Sequence, residues 1–331
     1  MATKEGVLAA LKASDDYVSG EWISETLGVS RMAVNKAIRA LQAGGYEIEA
    51  VNRLGYRLLS GPDLLTKEEI AAYLKEERME RVLCLSTTPS TNLKLSELAY
   101  EGAPDGQVVI ADEQTKGRGR RGRGFVSPKG KGIYLSYLMR RKETPEAVSE
   151  ITAWTAAAMI RAIESCLSAR VSVKWVNDLI MNRKKIAGIL TELSVESESR
   201  QIQSLIIGIG INVNEEREEF PEELQTMAGS ILSETGQQVK RAELAAQMIR
   251  ALDKMNRDFP LQKEEYLRLY RERSLILGES ISLSGAEMTG EPVKALAINE
   301  DFSLKIQYEN SGRTEDIRSG EVSVRGLYGY I

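Results

Sequence analysis

Gln114-Thr115-Lys116-Gly117-Arg118-Gly119-Arg120-Arg121-Gly122-Arg123-Gly124 and, further along, Lys174-Trp175-Val176-Asn177-Asp178 are the stretches on which the reading of this chain turns. From Lys116 to Lys131 there are seven Lys or Arg residues and no acid. Alternating glycine lets a backbone close tightly around a ligand, and each arginine presents a planar fork of donors that fits carboxylate or phosphate oxygens. Basic, glycine-rich runs are ordinarily solvated loops or nucleic-acid tails. This one lies between two apolar strand segments, ending at Ala111 and starting at Ile133, so a lid that orders over its ligand is expected. The second stretch precedes Lys185, which sits beside a turn at Asn182-Arg183-Lys184 and just before Ala187-Gly188-Ile189. A lysine at a strand start, with glycine allowing close approach, can stabilise a carboxylate attacking phosphorus. Together these features suggest an enzyme that activates a carboxylic acid with a nucleoside triphosphate.

Three further segments are ambiguous when taken alone. Ser90-Thr91-Asn92 follows a strand and starts a helix, so it reads either as an N-cap or as a polar pocket for a small polar head group. Lys174 and Asp178 flank Trp175 and could form an ion pair at a strand edge. Gly208-Ile209-Gly210-Ile211-Asn212-Val213-Asn214 ends an apolar strand. A lone Gly-x-Gly is a weak signal, and the two asparagines suggest a nucleotide edge as partner.

The chain of 331 residues allows about two or three domains. With 42% hydrophobic and 28% charged residues it has the make-up of a soluble globular protein. No apolar run approaches a membrane span and no signal-peptide pattern opens the chain, so a cytoplasmic location is expected. Cys84 and Cys166 lie in apolar segments and read as buried free thiols. There are no histidines, which excludes His-based triads and His zinc sites. Chemistry must rest on Lys, Arg, carboxylates, backbone amides or an added metal ion. The net charge of −4 predicts no general affinity for nucleic acid, so any such binding needs a local patch.

Residues 1 to about 60 supply one. Val7, Leu8 and Leu11 mark a first helix, and Ile23 and Leu27 a second. Gly28-Val29 turns, and Ser30 caps a third helix that turns Ala33, Val34, Ala37, Ile38 and Leu41 inward and ends at Gly44-Gly45. A strand from Tyr46 to Val51, a turn at Asn52 to Gly55 and a return through Tyr56-Arg57-Leu58-Leu59 complete a winged helix-turn-helix. On it, Ser30, Arg31, Asn35, Lys36, Arg39 and Gln42 face outward. Arg31 and Asn35 lie four apart and could reach base edges, while Lys36, Arg39, Arg53 and Arg57 could hold phosphates. The competing reading is a solvated three-helix bundle. Ser60-Gly61-Pro62 reads as a linker, and Leu64 to Glu77 as a helix opening the next domain.

Beyond it the pattern mixes α and β. Strands are expected at Val82–Ser86, Val108–Ala111, Ile133–Leu138, Val171–Trp175, Leu179–Met181, Ala187–Ser194 and Leu205–Val213. Helices are expected at Ser90–Tyr100, Pro145–Leu167, Arg241–Phe259 and Lys263–Arg273. From about Leu277, short strands at Ser280–Leu283, Val293–Ile298, Ser303–Gln307 and Arg313–Arg318 suit a small β-barrel. The expected fold class is α+β multidomain, divided as 1–61 winged helix-turn-helix, 62–276 mixed α/β catalytic domain, and 277–331 barrel.

The combination, in this order, resembles the bifunctional biotin protein ligases that also repress the biotin operon, over almost the whole chain. Gly117-Arg118-Gly119-Arg120-Arg121-Gly122-Arg123 is similar to the family's biotin loop. Lys174-Trp175-x-Asn177-Asp178, Lys185-Ile186-Ala187-Gly188-Ile189-Leu190 and Gly208-x-Gly210-Ile211-Asn212-Val213 resemble its other signatures. The resemblance implies a class II synthetase-like ligase domain and an SH3-like C-terminal barrel. It implies ligation of biotin, by way of biotinyl-5'-AMP, to a lysine of a biotin carboxyl carrier protein of acetyl-CoA carboxylase or another biotin-dependent carboxylase. ATP and Mg²⁺ would be required, with no metal held by protein ligands. Ser90, Thr91, Asn92, Gln114, Arg118, Gly119, Arg120, Lys185 and Gly188 would bind biotin. Arg118, Arg120, Arg121, Lys185 and Asn212 would meet the adenylate, and Lys185, Arg118, Arg120 and Asp178 would carry the chemistry. Operator DNA bound by a ligand-promoted homodimer is implied too. Two positions depart from the pattern: Phe125 replaces the usual Trp after the loop, and Val176 the usual Pro. Neither removes a polar group. Lipoate-type ligases share fold and reaction, though the Gly-Arg loop points to biotin. A ligand-sensing transcription factor without turnover, and a ligase with a vestigial winged helix, stay open.

Overall fold

The computed structural model describes residues 3–141, 150–195, 202–284, 291–318 and 323–326. The chain divides into two compact units, Met1–Met79 and Glu80–Ile331.

In the first unit, α1 (Thr3–Lys12), α2 (Gly20–Leu27) and α3 (Arg31–Ala43) precede the antiparallel hairpin β1 (Glu47–Val51) and β2 (Gly55–Ser60). The turn between α2 and α3 forms because Gly28 takes the left-handed conformation (φ 63°) that ends α2, and Ser30 Oγ accepts from Ala33 N to start α3. Val7, Leu11, Ile23, Val34, Ile38 and Leu41 close one core. The single helix expected from Leu64 to Glu77 is instead two short ones, α4 (Lys67–Ala71) and α5 (Glu76–Met79). Glu69 on α4 accepts from Tyr46 Oη at 2.5 Å and pairs with Lys12, which ties α4 to the winged helix.

The second unit holds β3 (Val82–Leu85), α6 (Thr91–Tyr100), β4 (Val108–Ala111), β5 (Gly132–Met139), α7 (Ile151–Glu164), β6 (Ser172–Lys174), β7 (Asp178–Met181), β8 (Lys184–Val195), β9 (Ile202–Asn212), α8 (Ile231–Thr235), α9 (Arg241–Asp258) and α10 (Lys263–Arg273). Its seven strands run in the order β3-β4-β5-β9-β8-β7-β6, parallel only between β3 and β4. All eight residues of β5 are buried, as a central strand covered on both faces requires. Helix α6 packs on β4, β5 and β9, while α7 is clasped between β8, α9 and α10. Trp154 of α7 stacks on Tyr266 at 4.3 Å and meets Phe259 edge-on at 5.0 Å. That enclosure is why α7 is apolar nearly all round. The expected helix Pro145–Leu167 is shorter, and its first residues, 145–149, lie outside the described ones.

The C-terminal strands β10 (Ser280–Ser284), β11 (Val293–Ile298), β12 (Leu304–Tyr308), β13 (Thr314–Ile317) and β14 (Ser323–Gly326) form an antiparallel sheet in the order β13-β12-β11-β10-β14. Strand β14 was not expected from sequence. Among the described residues the sheet does not close into a barrel. Trp175 Nε1 donates to Phe302 O at 2.9 Å, joining this sheet to the larger one. The Trp175–Val176 peptide is cis. Cys84 and Cys166 are free thiols but half-buried rather than buried. No helix among the described residues is long and apolar enough to cross a membrane.

Candidate functional site

One face of the β8–β9 pair forms the floor of the candidate active site. Side chains alternate along a strand, so Gly188, Leu190 and Glu192 share a face, opposite Gly210, Gly208 and Ile206 of β9. The glycines are required by what lies over them. A methyl at Gly208 would sit 2.8 Å from Asn92 Cγ and Nδ2, and one at Gly210 would sit 2.7 Å from Phe125 Cζ. Between floor and cover is a cavity of about 50 Å³. That is well below the ~300 Å³ at which ligand pockets usually begin.

Every residue expected to meet biotin lines this cavity: Ser90, Thr91, Asn92, Gln114, Arg118, Gly119, Arg120, Lys185 and Gly188. Phe125 and Asn177 line it too. Ser90 precedes α6 but makes no side-chain cap bond, so the polar-pocket reading of that segment fits better than the cap. Behind it runs a polar chain. Gln114 Oε1 accepts from Thr91 N at 2.9 Å and from Thr91 Oγ1 at 3.1 Å, and Gln114 Nε2 donates to Ser127 Oγ at 3.1 Å. Ser136 Oγ lies 2.7 Å from Thr91 Oγ1 and 2.5 Å from Asn92 Oδ1. Asn92 Nδ2 donates to Glu192 Oε2 at 2.7 Å. Glu192 also stands 3.5 Å from Arg118 Nη1. Sequence reasoning missed Glu192, Ser136 and Ser127. The strand period that puts Glu192 on the face of Gly188 was the available signal.

Lys185 reaches the cavity through a β-bulge. Asn182 and Arg183 both have positive φ (46° and 67°), as a two-residue turn between Met181 and Lys184 requires. The register then shifts between Leu179 and Ile180, leaving Ile186 the extra residue, so Lys185 faces the same side as Gly188. Lys185 N donates to Met227 O at 2.8 Å and Gly229 N to Lys185 O at 3.0 Å, which pins the bulge. Lys185 Nζ pairs with Asp178 Oδ1 at 2.6 Å. Asn177 Nδ2 donates to the same Asp178 oxygen at 3.2 Å, and Asn177 Oδ1 accepts from Arg120 Nη1 at 2.8 Å. Burial pulls the Arg120 guanidinium below its ordinary pKa, and Asp178 opposes that shift.

The basic loop forms a small hairpin, with Arg118 bridged to Gly124. Gly119 N donates to Arg123 O at 2.7 Å and Phe125 N to Gly117 O at 2.9 Å. Two expected adenylate residues stand elsewhere. Arg121 is exposed and does not line the cavity. Asn212 also lies off the cavity, because its side-chain nitrogen donates to Gly229 O at 2.9 Å. Asn214 likewise binds Val239 O at 3.0 Å, so these two asparagines hold the segment after β9 instead of presenting free amides. No cluster of three or more Cys, Asp or Glu suited to a metal ion occurs among the described residues.

On the winged helix, Arg31, Asn35 and Arg53 share a groove of about 400 Å³ with Glu21 and Tyr56. Arg31 is ion-paired with Glu21. Asn35 is doubly engaged: its Oδ1 accepts from Tyr56 Oη at 2.7 Å and its Nδ2 donates to Arg31 O at 3.0 Å. It therefore fastens α3 to the wing. Arg57 pairs with Glu49 at 2.8 Å and lies over Tyr17. Ser30 caps α3, while Lys36, Arg39 and Arg53 are exposed.

Comparison with known proteins bears on both units. The profile of the Biotin/lipoate A/B protein ligase family matches residues 83–212, and that of an HTH domain matches residues 4–57. The bifunctional ligase/repressor BirA of Bacillus subtilis is 36% identical over 89% of this chain and 91% of its own length. The Escherichia coli protein of the same name is 32% identical over 96% of each. The structure of biotin protein ligase from Aquifex aeolicus in complex with biotin and ATP superposes with a TM-score of 0.63 at 30% identity, covering 74% of this chain and 98% of that one. This chain belongs to the family of bifunctional biotin ligase/repressors.

Proposed function

We propose that this chain activates biotin as biotinyl-5'-AMP and transfers it to a lysine of a biotin carboxyl carrier protein, and that it represses transcription by binding operator DNA in response to biotin. The observation that carries the ligase reading is the convergence of Ser90, Thr91, Gln114, Arg118, Arg120 and Lys185 on one cavity. Hydroxyl and amide groups at one end suit the ureido head of biotin. Cationic groups at the other suit its carboxylate and the α-phosphate of ATP.

In this reading two anions must approach each other. Arg118, Arg120 and Lys185 offset the developing negative charge. Asp178 holds Lys185 in place until the substrates arrive, and afterwards helps to take the proton from the incoming carrier lysine. Mg²⁺ would enter with the phosphates of ATP and supply charge neutralisation. The hairpin lid shields the mixed anhydride from water. Arg121 and Asn212 act as adenylate residues only if the lid and the segment after β9 rearrange around ATP.

The division of labour follows the chain: 1–61 reads DNA through Arg31, Lys36, Arg39 and Arg53, 62–276 catalyses, and 277–331, an SH3-like barrel, aids ATP and carrier binding. Ordering of the lid by biotinyl-AMP favours a homodimer, and the dimer presents two winged helices to two half-sites. These activities are placed in the cytoplasm. Biotin-dependent pyrophosphate exchange, together with operator binding measured with and without biotin and ATP, tests both halves. Exchange that needs biotin, and DNA affinity that rises with the ligands, are expected. Absent exchange, or unchanged DNA affinity, removes the corresponding half.

A further inference from the structure

Glu192 is half-buried on the cavity face of β8 and forms no part of the charge-handling cluster around Lys185. One of its oxygens accepts from Asn92 Nδ2 at 2.7 Å, and the other stands 3.5 Å from Arg118 Nη1. A carboxylate can only accept, whereas an asparagine amide can present either its oxygen or its nitrogen to a neighbour. Glu192 therefore decides which way the Asn92 amide faces. With Nδ2 toward Glu192, Asn92 Oδ1 is left for Ser136, 2.5 Å away. That oxygen is a pure acceptor, so the single Ser136 proton is drawn to it. Ser136 Oγ, 2.7 Å from Thr91 Oγ1, then competes with Gln114 Oε1, 3.1 Å away, for the single Thr91 proton. Ser136 and Asn92 are almost fully buried (0% and 4% exposed), so water cannot scramble the order.

Resting on the reading of the cavity as the biotin site, we infer that Glu192 is a positioning residue that sets the donor and acceptor polarity of the pocket's hydrogen-bond chain and so determines which polar head group is accepted. Its second oxygen stands 3.5 Å from Arg118 Nη1, a half-exposed pair that contributes little. A glutamine at this position offers both a donor and an acceptor. It lets Asn92 turn over and reverses or mixes the chain. An aspartate keeps the acceptor-only character at shorter reach.

The test compares wild type, Glu192→Gln and Glu192→Asp in pyrophosphate exchange with biotin and with 2-iminobiotin, whose imine nitrogen replaces the ureido oxygen. Thermal unfolding of each protein is followed in parallel. In Glu192→Gln the KM for biotin should rise about tenfold, as expected for an altered hydrogen bond to a charged group. The preference for biotin over 2-iminobiotin should fall by a similar factor. The kcat at saturating biotin should change by no more than about threefold. Glu192→Asp should restore much of the preference. Wild type without exchange defeats the biotin reading itself. Wild-type exchange with an unchanged KM and preference in Glu192→Gln overturns the inference. So does a loss in which KM and kcat worsen together with a lowered Tm and no recovery in Glu192→Asp.

Discussion

Replacing Gly208 by alanine adds a single methyl where the structure leaves no room for it. The new carbon would stand 2.8 Å from Asn92 Cγ and Nδ2, well inside van der Waals contact. The backbone at Gly208 does not require glycine's conformational range, since its φ is not positive. Alanine in a strand interior is favoured over glycine by roughly 0.5–1 kcal/mol, so the strand itself should not suffer. Asn92 must move, because β9 is a central strand paired on both sides. Its movement breaks the bond to the Glu192 carboxylate, worth about 2 kcal/mol for a charged acceptor, and the bond to Ser136, worth about 1 kcal/mol. These bonds lie within the folded protein, so their loss of about 3 kcal/mol outweighs the strand gain and should lower Tm, while displacement of Asn92 in the pocket should weaken biotin binding about tenfold, the worth of roughly one hydrogen bond. Titration calorimetry with biotin and thermal unfolding of the same samples measure both. Biotin affinity within about threefold of wild type, the scatter of an ordinary surface substitution, would refute the claim that Gly208 exists to seat Asn92.

Three other outcomes follow. Arg120→Ala removes the donor to Asn177 and one cation from the cavity, and should slow biotin-dependent pyrophosphate exchange about a hundredfold, with thermal unfolding little changed. Lys36→Ala should weaken DNA binding evenly across sequences and reduce the salt slope of the binding constant by about one, read from gel shifts at several salt concentrations. Glu215 concerns stability. Its carboxylate is buried, and burial pushes its pKa from 4.5 to about 7, with the backbone amides of Glu215 and Val213, then Lys131 and Arg241, pulling the other way. The folded state therefore binds more protons than the unfolded state between those values, and stability is lost as pH rises through them. Glu215→Gln should match wild type near pH 4 and exceed it by about 3 kcal/mol at pH 8. A difference that stays flat across that range in denaturant titrations would contradict the burial argument.

Local signals in the sequence carried the strands, the helix caps and the placing of the basic loop. Ser30, Gly28 and the turn before Lys184 act through neighbours a few residues away, so their roles can be read from the chain alone. The motif residues Ser90 to Asn92, Gln114, Arg118 and Lys185 also met in one cavity. What stayed hidden depends on distant partners. The reason for Gly208 is Asn92, and the reason for Gly210 is Phe125, each brought over the strand by the fold. Glu192 looks like any acid in an alternating strand until Asn92 and Arg118 arrive beside it. Asn212 and Asn35 have the right chemistry for a ligand, but Gly229 and Tyr56 claim them first. The pair of Lys185 with Asp178 was hidden because it depends on a bulge, invisible in composition, that turns Lys185 toward Asp178. Strand β14 was missed because its four residues carry too little alternation to stand out from loop.

The most direct test of the central claim is transfer of labelled biotin to an apo carrier domain in the presence of MgATP, for wild type and for Lys185→Ala. The account predicts labelling of the carrier by wild type and a loss of about a hundredfold or more in the variant, because the cation facing both carboxylate and phosphate is gone. Failure of the wild-type protein to label the carrier, or undiminished labelling by Lys185→Ala, would contradict it.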